Sequence, residues 1–174
     1  NKIPIILEKP AAKNLIEIKK LILLSKKNKT SVLVNHSDLF NPNFNSILSK
    51  INTIGKIRMI EIDFGKYSKN YKDKNLLPWF DWFPHPLAII IKLLNNVRSI
   101  KVKKNIVFKK NKSFFQNISI YLKGSRNIDI KINYSNQSKK KSRNVKIYGN
   151  KGFANYDGYN NKNNFLYTNR KIKF

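Results

Sequence analysis

Apolar positions in the first part of the chain form two short runs with a helical repeat between them. Residues 3–7 and 32–34 are continuous apolar runs of the kind typical of buried parallel strands. Between them, apolar side chains recur at helical spacing over residues 11–27, where Lys26 and Lys27 favour the C-terminal end of a helix. Strand, helix and strand of this size predict a right-handed parallel crossover, the repeating unit of doubly wound sheets.

The pattern is mixed in the middle of the chain. A short amphipathic helix is predicted after Pro42, because its apolar residues fall on one helical face. Alternating apolar residues then predict a strand over residues 60–64, followed by a polar loop over residues 65–78. A second helix, apolar almost all round and therefore expected to be buried, ends at about Leu94.

From Val97 onward the sequence is nearly all strand. Apolar residues alternate with lysine and other polar residues, and turn-forming residues separate the runs. This pattern predicts successive hairpins in an antiparallel sheet with one face packed on helices. The run Lys139–Lys141 is then interpreted as part of a solvated hairpin loop.

These elements predict an α/β (α+β) chain of two units. A terminal βαβ unit, residues 1–34, is followed by an α/β domain, residues 35–174, whose open sheet is mainly antiparallel. Because the chain enters a strand-like run at once from Asn1, we expect it to be part of a longer protein. We also expect the second unit to be truncated at its C-terminus.

The stretch from Trp79 to His85 carries the most distinctive chemistry. Asp81 and His85 stand four residues apart, so a helix would place both side chains on one face, one turn apart. The pattern indicates an acid/base pair at the buried start of a helix. Taken singly, an aspartate that opens a helix is usually a cap, and a histidine beside aromatic residues is usually a satisfied core residue.

Charge is the strongest feature of the composition. The 174 residues include 36 Lys and Arg against 9 Asp and Glu, which gives a formal net charge of +27. Such an excess is typical of proteins that bind polyanions, since neutralising phosphates releases counterions. The lysines are spread along the chain without a nucleic-acid-binding motif, so compositional drift is the favoured interpretation and a nucleic-acid partner is not expected.

Several other classes of protein are excluded or disfavoured. No cysteine is present, which excludes disulfides and thiolate metal sites, and with only His36 and His85 available we predict no metal site. No signal peptide is visible, and the longest apolar run, Leu87 to Leu94, is too short to cross a bilayer. These features predict a cytoplasmic protein without a membrane partner.

Glu8, Lys9 and Pro10 follow the first predicted strand directly. The carboxyl ends of strands in open α/β sheets are where ligands bind, so the Lys9 ammonium could face a crevice there. A solvated lysine in a strand-to-helix loop is the simpler interpretation of this short motif alone.

The order of these parts resembles the glucose–fructose oxidoreductase/inositol dehydrogenase (Gfo/Idh/MocA) family. The resemblance covers most of the chain and is more specific as an ordered set than in any single motif. It is carried by Glu8-Lys9-Pro10, Val34-Asn35-His36 followed by Phe40-Asn41-Pro42, Gly55-Lys56-Ile57, Trp79 to His85, and Val145 to Gly152.

The resemblance implies an enzyme that uses NAD or NADP to act on a sugar, cyclitol or nucleotide sugar. The first unit would be the end of a Rossmann domain, and the sheet of the second would mediate homo-oligomer contacts. Three groups of site residues are carried over. They are Lys9, Asp81 and His85 as the catalytic set, Glu8, Lys9 and Pro10 at the nicotinamide end of the cofactor, and Asn35, His36 and Trp82 as substrate contacts.

Departures from the family pattern concern the substrate and the cofactor cradle. Leu39 stands where the family often has arginine, and Phe83 stands where glycine is common. The glycine-rich phosphate turn would precede Asn1, so we expect these residues alone to bind the dinucleotide weakly and to be inactive.

The alternatives to the dehydrogenase hypothesis are a basic polyanion-binding module without catalysis, or an inactive gene fragment. The dehydrogenase hypothesis predicts that Lys9, Asp81 and His85 converge on one cavity.

Overall fold

The strands of the chain form two separate sheets in the computed structural model, which describes residues 3–68, 71–72 and 78–168. The strands are β1 (Ile5–Glu8), β2 (Val32–Asn35), β3 (Ile57–Tyr67), β4 (Val97–Lys110), β5 (Ser113–Gly124), β6 (Asp129–Ser135), β7 (Gln137–Gly149), β8 (Gly152–Asp157) and β9 (Phe165–Thr168). The helices are α1 (Leu15–Asn28), α2 (Pro42–Lys50), α3 (Pro78–Trp82) and α4 (Pro84–Leu94).

β1, α1 and β2 form the predicted parallel crossover unit, with Glu8 opposite Asn35 in the register of the two strands. The helix begins at Leu15, four residues later than predicted, because the Asn14 side chain caps it by accepting a hydrogen bond from the Glu17 amide at 3.0 Å.

The predicted burial of this unit is wrong for the described residues. Ile6 is 70% exposed and Leu15 is 65% exposed, and no residue of α1 is buried. A sheet of two short strands is too small to bury the apolar side of α1. The helix in turn is too small to cover both faces of the sheet. The apolar pattern therefore predicts the elements correctly and their surroundings incorrectly.

The other seven strands form one mixed sheet in the order β4-β5-β6-β3-β7-β8-β9. The prediction of an open, mainly antiparallel sheet is confirmed, with β3 and β6 as a parallel pair within it. The predicted run of successive hairpins is wrong at one place, because β3 lies between β6 and β7. Lys139–Lys141 do not form a loop, since β7 begins at Gln137 and these lysines are exposed residues of that strand.

The hydrophobic core lies between this sheet and helices α2 and α4. Ile60, Ile62 and Phe64 of β3 alternate onto the helix-covered face and are almost fully buried. Helix α4 begins at Pro84. Proline is tolerated there because the backbone N–H groups of the first helical turn have no carbonyl partner within the helix. The helix buries Ile89. Each fully buried Ile or Phe contributes roughly 1.5–3 kcal/mol to stability.

The predicted loop over residues 65–78 is shorter than expected, because β3 continues to Tyr67 and α3 begins at Pro78. Residues 69–70 and 73–77 of that prediction lie outside the described part of the chain. Among the helices that are described, none has the length and apolar character needed to cross a bilayer.

Candidate active site

A cavity of about 150 Å³ lies where the carboxyl end of β1 meets α3, α4 and the sheet. Lys9, Asp81 and His85, the three side chains predicted to converge, all line it. Trp82, predicted as a substrate contact, lines it as well. The remaining walls include two further cations, Lys66 and Arg143, and the aromatic rings of Phe64, Tyr134 and Tyr159.

Lys9 and Asp81 form an ion pair at one side of the cavity. The Lys9 ammonium donates to the Asp81 carboxylate and to the Asp81 backbone carbonyl, each at 2.5 Å, and the Tyr71 hydroxyl donates to the second carboxylate oxygen at 2.7 Å. Burial opposes ionisation of Asp81, but the hydrogen bonds from Lys9 and Tyr71 outweigh it, so the pKa of this carboxyl lies below its usual value. The pair fixes the lysine head at the cavity wall.

His85 pairs with a carboxylate that the sequence reasoning did not single out. Its Nδ1 lies 2.9 Å from Oδ2 of Asp38, whose side chain is only 2% exposed. The Tyr156 hydroxyl donates to the other oxygen of Asp38 at 3.3 Å, and Nε of Arg143 lies 3.4 Å from that oxygen. An ionised Asp38 requires a proton on Nδ1, and this leaves Nε2 of His85 as the basic nitrogen.

The pKa of Asp38 lies below the usual range for a carboxyl. Burial acts against the charged form, but the hydrogen bond from His85 and the charge of Arg143 together outweigh it. Asp81 and His85, predicted to share one helix face, therefore have separate partners: Asp38 orients His85, while Asp81 binds Lys9. The position of Asp38, in a 3-10 turn just after β2, offered a weak signal, since polar groups there face the ligand-binding edge of a parallel sheet.

An aromatic wall completes the cavity. The ring of Trp82 stacks on Tyr134 with centroids 4.0 Å apart and planes 12° from parallel. Trp82 Nε1 is buried and has no hydrogen-bond partner within the described ranges. The wall is therefore mainly aromatic and closely packed, with both rings almost fully buried.

The remaining predicted residues lie beside the cavity and do not line it. The Asn35 amide donates to the Glu8 carboxylate at 2.8 Å, so these two side chains bind each other across the ends of β2 and β1. His36 has a pKa below its usual value, first because of burial and then because of the nearby charge of His85. Pro10 follows Lys9 through a cis peptide bond and is exposed. Their predicted contacts with cofactor and substrate stay predictions.

No metal centre is formed in the part of the chain that the structure describes. Three or more His, Asp or Glu side chains do not come together there in a way that could hold an ion. The charged and basic groups that line the cavity are the ammoniums of Lys9 and Lys66, the Arg143 guanidinium, the His85 imidazole and the Asp81 carboxylate.

Several solved oxidoreductase structures are similar in fold to this chain. The WlbA dehydrogenase from Chromobacterium violaceum, in complex with NADH and UDP-GlcNAcA, is 14% identical with a TM-score of 0.81, covering 98% of this chain and 54% of its own. The dehydrogenase MviM from Clostridium difficile is 20% identical with a TM-score of 0.71, covering 95% and 55%. Biliverdin reductase from Synechocystis, with biliverdin and NADP⁺, is 17% identical with a TM-score of 0.73, covering 95% and 57%.

The chain has the fold of the Gfo/Idh/MocA oxidoreductases. At these identities the likeness concerns the fold, and the chain spans about half the length of the structures it matches. Neither a family model nor a curated protein matches the sequence. The predicted resemblance is thus confirmed at the level of architecture, and the chemistry of the site depends on its own geometry.

Proposed function

We propose that the protein transfers a hydride between a nicotinamide dinucleotide and a secondary hydroxyl of a sugar, cyclitol or nucleotide sugar. One observation carries the proposal: the ammonium of Lys9 and the imidazole of His85 line the same small cavity, each held by its own carboxylate. A cation and a base around one space are what alcohol oxidation requires. The fold likeness to dehydrogenases, one of them holding NADH and a nucleotide sugar, supports the same reaction class.

The cofactor is NAD or NADP in this proposal. Glu8, Lys9 and Pro10 follow the end of β1, a strand parallel to β2, which is the edge where dinucleotides bind in such sheets. These residues fit the nicotinamide end, because Glu8 and Pro10 are exposed beside a lysine that reaches the cavity. NAD(P), when bound, supplies the hydride acceptor or donor.

His85 acts as the general base in oxidation. Nε2 accepts the proton of the reacting hydroxyl as its O–H bond breaks, and in reduction the same nitrogen returns that proton to the oxygen. Asp38 is the positioning residue for this base. It holds the Nδ1–H tautomer and stabilises the imidazolium that forms, a role known from aspartate–histidine pairs in other enzymes.

Lys9 stabilises the negative charge that develops on the substrate oxygen. Its ammonium is compact, and two hydrogen bonds to Asp81 fix it before the substrate arrives. Asp81 is itself partly exposed, so one carboxylate edge is accessible to a neighbouring substrate hydroxyl. Trp82 lines the cavity and, stacked on Tyr134, contributes an apolar wall beside the substrate.

Residues 1–34 would end the dinucleotide-binding domain, and residues 35–174 would carry the substrate. The sheet face turned away from the helices is proposed as a homo-oligomer contact, because Tyr148, Phe153 and Tyr167 form an aromatic row across three of its strands. Both assignments, like the cytoplasmic location, stay predictions.

The reaction is tested with the whole protein, NAD⁺ or NADP⁺, and a panel of sugars, cyclitols and nucleotide sugars, by following the absorbance of the reduced nicotinamide. We expect turnover with at least one member of the panel and loss of that turnover in the His85→Asn variant. Equal turnover by wild type and variant would contradict the assignment of the base. Absence of reduced nicotinamide with every substrate, in a protein that binds the cofactor, would contradict the reaction class.

A further inference from the structure

Lys66 is a charged residue at a position where the pattern of β3 calls for an apolar one. Ile60, Ile62 and Phe64 point in turn to the helix-covered face, and Lys66 is next in that row. It is partly buried and lines the cavity. The register of β3 against β7 shifts between Gly65 and Tyr67, where the extra residues lie on β7 between Gln137 and Ser142, and such irregularities are common near functional sites.

The charges around the cavity do not balance. Lys9 binds Asp81, and Arg143 lies against Asp38, so each carboxylate already has a cation. Lys66 is left over: within the described ranges its ammonium has no carboxylate or hydrogen-bond partner, although its charge helps to lower the pKa of Asp81. A partly buried cation without a partner is costly unless a bound anion completes the site.

Arg143 offers a second contact for such an anion. Only its Nε lies against Asp38, at 3.4 Å, and the guanidinium carries four further N–H donors on the terminal nitrogens. The rings of Phe64 and Tyr159 lie 5.4 Å and 6.0 Å from the guanidinium carbon and restrict its plane. A planar guanidinium held in one orientation can donate two parallel hydrogen bonds to the two oxygens of a carboxylate.

We infer that the substrate carries a carboxylate on the reacting sugar ring and that Lys66 and Arg143 bind it. This inference rests on the proposed function and narrows its substrate class to sugar acids, either free or as the sugar of a nucleotide. The size of the cavity limits how much of a substrate it can hold. At about 150 Å³ it is smaller than the roughly 300–1,000 Å³ of whole-ligand pockets, so it takes the reacting ring and leaves a nucleotide outside.

The test measures binding of D-glucuronate and D-glucose to the 174-residue chain by NMR chemical-shift titration. We expect glucuronate to bind at least tenfold more tightly than glucose. Lys66→Gln should remove most of that difference. Lys146→Gln should leave it within twofold, because Lys146 is an exposed residue of β7 on the opposite sheet face and its loss changes the net charge equally. Thermal unfolding of each variant checks that the fold is kept.

Two results would overturn the inference. One is equal affinity of wild type for glucuronate and glucose. The other is Lys66-dependent binding of inorganic phosphate or glucose 1-phosphate without any preference for glucuronate, since the site would then bind phosphate.

The outcome is separable from that of the hydride-transfer proposal. If the whole protein oxidises neutral sugars in a His85-dependent way and Lys66→Gln has no effect, the carboxylate site fails alone. If glucuronate binding depends on Lys66 but no nicotinamide is reduced, the reaction fails alone.

Discussion

The two carboxylates of the candidate site stand in contrasting surroundings. Asp38 is 2% exposed and accepts hydrogen bonds from His85 and Tyr156, while Asp81 is 46% exposed and binds Lys9 at the cavity edge. Both form ion pairs between distant parts of the chain, 47 residues apart for Asp38 and His85 and 72 for Asp81 and Lys9. The same chemical pairing is thus built once in the interior and once near water.

This difference in exposure implies different roles for the two ion pairs. The Lys9–Asp81 pair is partly exposed, so water screens it and it contributes about 0–1 kcal/mol to stability, but its groups can still reach a substrate. A buried carboxylate is costly without its partners, so Asp38 can act only through the groups that it fixes. We therefore expect variants of the pair near water to change catalysis and variants of the interior pair to change both catalysis and stability.

Replacing the base should give the largest effect. His85→Asn places an amide N–H close to where Nδ1 donates to Asp38, and it removes Nε2. We expect kcat of the whole protein to fall by about 10²–10⁴-fold with little loss of stability. In the His85→Ala variant kcat should fall by the same factor. This variant should also unfold more easily, because Asp38 loses a hydrogen-bond partner. Recovery of His85→Ala by added imidazole would support the role, and an Asn variant with near-normal kcat would contradict it.

Replacing the cation at the cavity edge should have the next largest effect. Lys9→Met removes the ammonium that stabilises the developing charge, so kcat should fall by about 10²–10³-fold. Stability should change little, since the Lys9–Asp81 pair is partly exposed. Lys13→Met is the matched control, an exposed lysine in the same loop that does not line the cavity. A similar loss in both variants would point to a general charge effect and contradict the assignment.

Exchanging each carboxylate for its amide tests the contrast directly. Asp38→Asn replaces a buried charge-assisted hydrogen bond, and we expect the free energy of unfolding to fall by about 1.5–3 kcal/mol. Asp81→Asn should cost less than about 1 kcal/mol. Urea unfolding of the 174-residue chain measures both. Equal losses, or a larger loss for Asp81→Asn, would show that exposure does not separate the two pairs.

Much of the architecture could be predicted because it follows from the spacing of apolar residues within short segments of the chain. The alternation in β3 and the apolar run of α4 need no knowledge of distant residues. The insertion of β3 between β6 and β7 could not be predicted, since a parallel pairing between remote strands leaves no turn or spacing signal. The course of Lys139–Lys141 could not be predicted either, because they lie within β7 at the register shift between Gln137 and Ser142, which depends on the distant strand β3.

The candidate site was predictable to a similar extent. Lys9, Asp81 and His85 could be proposed because the family resemblance fixes their order along the chain. Asp38 had only the weak signal of its position after β2, because its importance comes from burial beside His85, a contact between segments 47 residues apart. Lys66 was missed because one lysine among 36 basic residues has no distinguishing context until its neighbours are known.

The smallest expected effect is the acid dependence of stability. The pKa of Asp38 is lower in the folded chain than in the unfolded one, so its stabilising contribution is complete above the unfolded value of about 3.9 and is lost as pH falls through the lower folded value. Wild type should therefore lose stability below about pH 4 more steeply than Asp38→Asn. Asp81 and Asp157, whose pKa values are also lowered, should leave a residual slope in the variant. Urea unfolding at a series of pH values measures both slopes, and identical slopes would mean that Asp38 is not held ionised by His85 and Arg143.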